Sequence, residues 1–216
     1  MTEFPKAAMF GKRITLVQLR KQGLPARCGD SVKSLVWAYK LSPSTMNLAA
    51  TDAVKEIEVM DLSLKERCST LRQKSALIAA IDRLIPNPLI FRLHDEDGRP
   101  SGIAFNIKVS GGGLWGASDV FRLFHSAADV ALPSGVMDLE AFLKAFAASV
   151  SGMATSPEET LRDFDARHYR LESLRADLAD LEKKLARESQ LDRKYALAKE
   201  KQRIEKEIKQ CQNLNT

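Results

Sequence analysis

Cysteine is scarce in this chain of 216 residues. Cys28, Cys68 and Cys211 lie far apart and form no CxxC pair, which excludes a disulfide framework and argues against structural zinc. Three free thiols are expected. Aromatic residues are also few, 6% of the chain, too few to supply an interleaved aromatic and basic platform for stacking bases. No apolar run approaches the ~18–20 residues of a bilayer-spanning helix, and the opening MTEFPKAAMFGKR lacks the apolar stretch of a signal peptide. A cytoplasmic protein with no membrane association is therefore expected. With 44% hydrophobic and 28% charged residues, the chain carries enough apolar material for a real core, and wholesale disorder is disfavoured.

The common catalytic signatures are missing too. The sequence contains no GxxxxGK[ST] loop, no GxGxxG turn, no HExxH pair and no GxSxG elbow, so nucleotide hydrolysis, dinucleotide binding, zincin chemistry and the usual hydrolase nucleophiles lose their sequence support. SGGGLWG at residues 110–116 lacks the lysine of a phosphate loop and reads as a connection. His94, His125 and His168 are isolated from one another and from cysteine, and none is expected to bind metal. No cofactor is expected.

What is present begins with an uneven charge. Residues 1–40 hold eight Lys or Arg against Glu3 and Asp30, a local charge of +6 within a total of +5. Lys12, Arg13, Arg20, Lys21, Arg27 and Lys33 in this head are the candidate contacts for DNA or RNA phosphates. A solubilising surface is the plainer alternative.

The hydrophobic pattern outlines an α+β fold: a mixed α/β head with a small sheet, followed by a C-terminal coiled-coil-like helical arm or helical hairpin. We divide the chain into a basic segment at 1–30, a mixed α/β domain at 31–152 and a charged helical arm at 153–216. Val32, Leu35, Val36 and Tyr39 fall at helical spacing, which predicts a helix ended by Pro43. A strand is expected within 54–64, a helix from about Ser69 to Leu84, and a hairpin formed by LIFRL and IAFNIKV around an Asp-Gly turn. A further strand or short helix is expected in ASDVFRLFHS, and a helix after Asp138. Ser156 with Glu159 has the capping-box spacing, which predicts that the arm starts with Pro157 in its first turn.

Neither Gly nor Pro occurs from residue 158 to 216. Leu161, Phe164, His168 and Leu171, then Leu174, Leu178, Leu181 and Leu185, step by three and four, and the stripe resumes at Ile204, Ile208 and Cys211. An unbroken helix would be about 80 Å long at 1.5 Å per residue. The broken seam suits either a hairpin turning near 189–194 or a helix packed on a partner. Leu171, Leu174, Leu178, Leu181, Leu185, Tyr195, Ile204 and Ile208 are the candidate partner-interface residues, and pairing of two copies through the arm is a further option.

Acidic residues invite one enzymatic reading. Glu56, Glu58 and Asp61 lie on the expected strand, and Asp95, Glu96 and Asp97 on the hairpin turn. A metal-dependent nuclease needs carboxylates that converge, commonly beside a lysine. The nearest following Asn106-Ile107-Lys108 has an amide where an acid is needed, so the strand acids read as a solvent face and the turn acids as a turn.

The order of segments carries a resemblance. Leu35-Val-Trp37-Ala-Tyr39-Lys40-Leu41-Ser42-Pro43, then Met46-Asn47-Leu48, Val54-Lys-Glu56-Ile57-Glu58-Val59, Ile81-Asp82-Arg83-Leu84-Ile85-Pro86 and Pro88-Leu-Ile-Phe91 resemble a bacterial family known as domain of unknown function 4391. The resemblance covers about residues 31–110, and Arg187-Glu188-Ser189-Gln190 with Arg193-Lys194 echo its charged tail. The N-terminal region looks short and divergent. No activity comes with the family name. The resemblance implies an accessory protein found beside methyltransferase and helicase genes of restriction or anti-phage systems. Of the matching residues, Trp37, Tyr39, Lys40, Pro43, Asn47, Pro86 and Pro88 are expected to keep the fold. The leading expectation is a non-catalytic accessory or scaffold subunit that docks through its arm on a larger helicase, methyltransferase or nuclease. The alternatives are a nucleic-acid-binding module and a divergent metal nuclease.

Overall fold

The protein's structure, a computed structural model, describes residues 3–66, 68, 70–108, 122–124 and 130–213. They belong to two compact units, Met1–Ser151 and Gly152–Thr216. The first holds six strands: β1 (Met9–Ile14), β2 (Val32–Leu41), β3 (Ile57–Leu64), β4 (Leu89–His94), β5 (Pro100–Asn106) and β6 (Arg122–Phe124). They lie in the sheet in chain order. Every neighbouring pair is antiparallel except β3 and β4. A parallel pair needs a crossover, and α4 (Leu71–Asp82) supplies it.

Leu77, Ile78 and Ile81 of α4 form one core with Leu19, Val32, Leu35, Met60, Leu62, Phe91 and Leu93. Leu19 comes from α1 (Leu16–Lys21), which precedes the short α2 (Ala26–Gly29) and whose start is fixed by a reciprocal cap between Thr15 and Gln18. Helix α5 (Leu139–Ser151) opens with Asp138 Oδ1 accepting from Ala141 N at 2.7 Å. Its Phe146 meets Phe4 and Phe105, with ring centroids 6.4 and 6.2 Å apart, so aromatic packing builds a second apolar layer. Gly11 takes φ 67° where the register of β1 slips between Met9 and Lys12, the left-handed geometry that glycine adopts freely at a bulge.

The helix expected over 31–41 is strand β2. Two bulges explain the misleading pattern, one between Val32 and Ser34 and one between Trp37 and Tyr39. Each inserts a residue and resets which face the next side chain meets. Val32, Leu35, Ala38 and Leu41 are consequently the buried positions, a period of three that imitates a helix. Pro43 opens a helix rather than ending one. It is the first residue of α3 (Pro43–Met46), capped by Ser42 and closed by Asn47 at φ 54°, a left-handed cap that asparagine tolerates.

The second unit is a helical hairpin of α6 (Leu161–Arg187) and α7 (Leu191–Gln212). The arm starts later than the spacing predicts. Ser156 Oγ accepts from Glu159 N, but only a turn results, and Thr160 is the true N-cap, bonded to Asp163 N at 3.1 Å. Glu188 Oε1 accepts from Ser189 N and Gln190 N, both at 2.9 Å, which fixes the reversal between the helices. Lys201 pairs with Glu182 at 2.7 Å and Arg170 with Glu207 at 3.0 Å across the hairpin. No helix among the described residues is long and apolar enough to cross a membrane. The three cysteines are free.

Candidate functional site

Register brings the most unusual chemistry together. Lys40 on β2 lies directly opposite Glu58 on β3, and residues paired in this way share a face of the sheet. Glu56 stands two residues before Glu58 and returns to that face. The connection after α4 contributes Asn87, held between Pro86 and Pro88, and Glu58 N donates to the Pro88 carbonyl at 2.9 Å. Proline on either side leaves Asn87 little backbone freedom.

Four side chains therefore meet at the start of β3. Lys40 Nζ lies 2.7 Å from Glu56 Oε2. The Asn87 amide donates to Glu56 at 2.5 Å and to Glu58 Oε1 at 3.1 Å. One nitrogen reaching both acids puts the two carboxyls within about two hydrogen-bond lengths of each other. Lys40 and Glu56 are partly exposed, with side chains 38% and 28% accessible, whereas Glu58 is 1% exposed. Glu58 Oε2 is buried without a hydrogen-bond partner. The cluster is open to solvent at one end and floored by a buried carboxyl.

Burial and charge split the two acids. Burial pushes Glu58 up to about 7, against the pull of the Asn87 hydrogen bond. Burial also pushes Glu56 upward, but the hydrogen bond and charge of Lys40 outweigh it and hold Glu56 below the ordinary glutamate range. The same hydrogen bond to Glu56 raises Lys40. An ionised acid, an ammonium and a second carboxyl poised near neutrality can exchange a proton. Glu58 is thus no part of a solvent face, contrary to the reading of the strand acids.

Asp61 does not join them. It is three residues from Glu58 on an unbulged strand and faces the other side of the sheet. There Arg92 grips it through two bonds of 2.6 and 2.7 Å and lies 4.9 Å from the Tyr39 ring centre. His94 Nε2 lies 3.7 Å from Asp61. Two of the turn acids make backbone contacts: Glu96 Oε2 accepts from Glu66 N, and Asp95 Oδ1 from Arg99 N. Among the described residues no group of three or more His, Cys, Asp or Glu gathers as a metal shell.

The basic candidates are spread over several elements of the first unit. Lys12 and Arg13 are exposed neighbours on edge strand β1, so they point to opposite faces. Arg20 and Lys21 end α1, with Arg20 3.9 Å from Asp30. Lys33 donates to the Glu96 carbonyl at 2.6 Å. The Arg27 side chain lies outside the described residues, as do Gly111–Gly113, Trp115 and His125.

In the arm, Leu171, Leu181 and Ile204 are buried, and Leu174, Leu178, Leu185 and Ile208 are half-buried. Tyr195 and its neighbour Leu191 are 75% and 81% exposed. Of the residues behind the resemblance, Trp37 packs at a tilt against Phe10, ring centroids 4.5 Å apart, and donates to the Tyr39 carbonyl at 3.2 Å. Tyr39 packs on Phe4 at 5.3 Å. The bulge at Ala38 places these two rings on opposite faces. Pro88 is buried and Pro86 exposed.

Sequence reasoning passed over Asn87 and counted Lys40 only in the basic head and among the fold-keeping residues. A Pro-Asn-Pro tripeptide was the one available signal, because the pairing of Lys40 with Glu58 depends on the β2 register. Residues 3–110 match the family model described as Domain of unknown function (DUF4391). The match takes in the N-terminal segment that looked divergent and stops short of the arm. No curated protein and no solved structure matches the chain.

Proposed function

The chain belongs to the DUF4391 family, and from that premise we propose that it is an accessory subunit of a bacterial defence or restriction assembly, docking on a larger helicase, methyltransferase or nuclease through its helical arm. The observation that carries the reading is at the hairpin tip. Leu191 and Tyr195, 81% and 75% exposed, stand four residues apart on the first turns of α7 and therefore share a side of the helix. A large aliphatic and a tyrosine side by side on a charged helix resemble the anchors of a protein interface more than a solubilising surface. The seam leucines, by contrast, are buried or half-buried, so in this reading the tip rather than the seam supplies the docking surface.

The test is co-expression of the full chain with candidate helicase, methyltransferase and nuclease subunits in turn, followed by gel filtration. Co-elution with one of them, lost in the double variant Leu191→Asp and Tyr195→Asp, supports the reading. Co-elution unaffected by the double variant moves the interface elsewhere, and a dimer of the chain alone that the variant dissolves makes the partner a second copy.

Exposed Lys12 and Arg13 favour a second, compatible reading, in which the basic head touches DNA or RNA. Counterion release would make that contact weaken steeply with salt.

A further inference from the structure

Strand β1 is an open edge of the sheet. It pairs with β2 on one side, and no strand lies beyond it among the described residues. An edge of this kind offers a row of backbone N–H and C=O groups that an added strand can bond. We propose that β1 is a docking edge for an extended, acidic segment of a partner protein, which adds to the sheet as a further strand.

Side chains on both faces of the edge fit such an occupant. Met9 pairs in register with Tyr39 and Lys12 with Trp37, whose rings lie on opposite faces of the sheet. Phe10 meets the Trp37 ring and so shares a face with Lys12. Met9 shares the other with Arg13, one residue past Lys12 on the strand. Each face thus carries one large apolar side chain and one cation. Met9 and Phe10 are 63% and 47% exposed, and Lys12 and Arg13 are exposed as well. Strand addition would bury that apolar surface, with backbone bonds supplying affinity and alternate side chains supplying selectivity.

Charge selects the partner. From residue 4 to residue 29 the sequence holds Lys6, Lys12, Arg13, Arg20, Lys21 and Arg27 and no acid. A second copy of β1 would set Lys12 and Arg13 against cations of its own, and like charges directly opposite destabilise a strand pair. Lysine on an edge guards against self-pairing in this way. An acidic strand meets the reverse condition, since complementary charge steers the encounter and fixes the register. The bulge at Gly11 leaves residues 12–14 as the regular stretch of β1, and pairing would start there. A nucleic acid would also be drawn to the cations, but it cannot continue a β ladder.

The experiment is an NMR titration of the full, isotope-labelled chain with a capped octapeptide that has two glutamates at each end and a Thr-Val-Val-Thr centre, so that it reads the same in either direction. The amide signals of residues 9–14 are expected to move saturably and to gain protection from hydrogen exchange. The same peptide with lysine in place of glutamate should leave them where they are. The double variant Lys12→Glu and Arg13→Glu should weaken the glutamate peptide by on the order of tenfold or more and take up the lysine peptide instead, with circular dichroism confirming the fold. Millimolar glutamate peptide that leaves residues 9–14 unmoved overturns the proposal, as does an equal response to both peptides. A single-stranded oligodeoxynucleotide that moves these amides when the glutamate peptide does not overturns it in favour of a nucleic-acid surface. Should the double variant fail to fold, the contrast between the two peptides on the unaltered chain decides alone. Because the residues involved lie outside the arm, failure here leaves the docking reading untouched.

Discussion

Lys108, just beyond β5, reaches Asp82 at the end of α4 in a 2.8 Å ion pair with both side chains 5% exposed. The same ammonium donates to the carbonyls of Asp82 and Ile85, each at 2.7 Å. A helix end leaves carbonyls unsatisfied, and a cation there also meets the negative end of the helix dipole. Lys108 thus fastens α4 to the sheet that α4 crosses. Burial lowers its pKa, with Asp82 opposing.

Replacing Lys108 with Met should destabilise the first unit by about 3–5 kcal/mol, the cost of leaving the other half of a buried pair behind. Urea unfolding measures it. The double change Lys108→Met with Asp82→Leu should recover much of the loss, since removing both charges avoids the orphan. A single variant as stable as the unaltered chain would mean that Asp82 and the carbonyls find other partners.

The neighbouring acids show how far one-dimensional reading goes. Strand β3, helix α4 and the β4–β5 hairpin were legible because their apolar periods are regular and their turns carry proline or Asp-Gly. Strand β2 was not, because two bulges turn its alternation into a period of three. The error propagated: with β2 taken as a helix, nothing set Lys40 opposite Glu58, and Glu58 passed for a solvent-facing acid. Asn87 was hidden for a related reason, since only the crossover brings the Pro86–Pro88 connection beside the start of β3. In the arm, the stripe was plain and its break near 189–194 offered the hairpin as one of two options; what the stripe could not show is that Glu188 fixes the reversal by bonding two backbone amides, a contact without periodicity. The tip pair Leu191 and Tyr195 breaks the stripe, and Leu191 escaped notice.

Arg167 clamps the base of the hairpin. It grips Glu159 through bonds of 2.7 and 2.8 Å, donates to the Ala154 carbonyl at 2.7 Å and reaches the Cys211 carbonyl. One guanidinium thus ties the incoming chain, α6 and the end of α7 together, using the planar fork that lysine lacks. The pair is mostly buried, with Glu159 8% and Arg167 15% accessible. Arg167→Met should cost the second unit about 2–4 kcal/mol, and Arg167→Lys should rescue little. Hydrogen exchange is the discriminating measurement: amides in 152–213 should lose protection, while those of α4 and β3 should not. Uniform loss across both units would refute the clamp as a local device.

On the face opposite Glu58, His94, Asp61 and Arg92 give stability a dependence on pH whose direction is fixed. Pairing with Asp61 raises His94 above its ordinary value of 6.5. Protons are then held more tightly in the folded chain, so the His94 contribution is complete below 6.5 and fades as pH rises through the raised value. Asp61 behaves in the opposite sense. Burial pushes it up, but His94 and Arg92 prevail and hold it below 3.8, so its contribution is present above that value and lost as pH falls through the lowered one. Urea unfolding of the unaltered chain and of His94→Asn should show a stability gap in mildly acidic buffer that closes at mildly alkaline pH. A gap that persists unchanged would trace the loss to packing of the ring, because a neutral imidazole fills the same space but cannot pair with Asp61 as a charge.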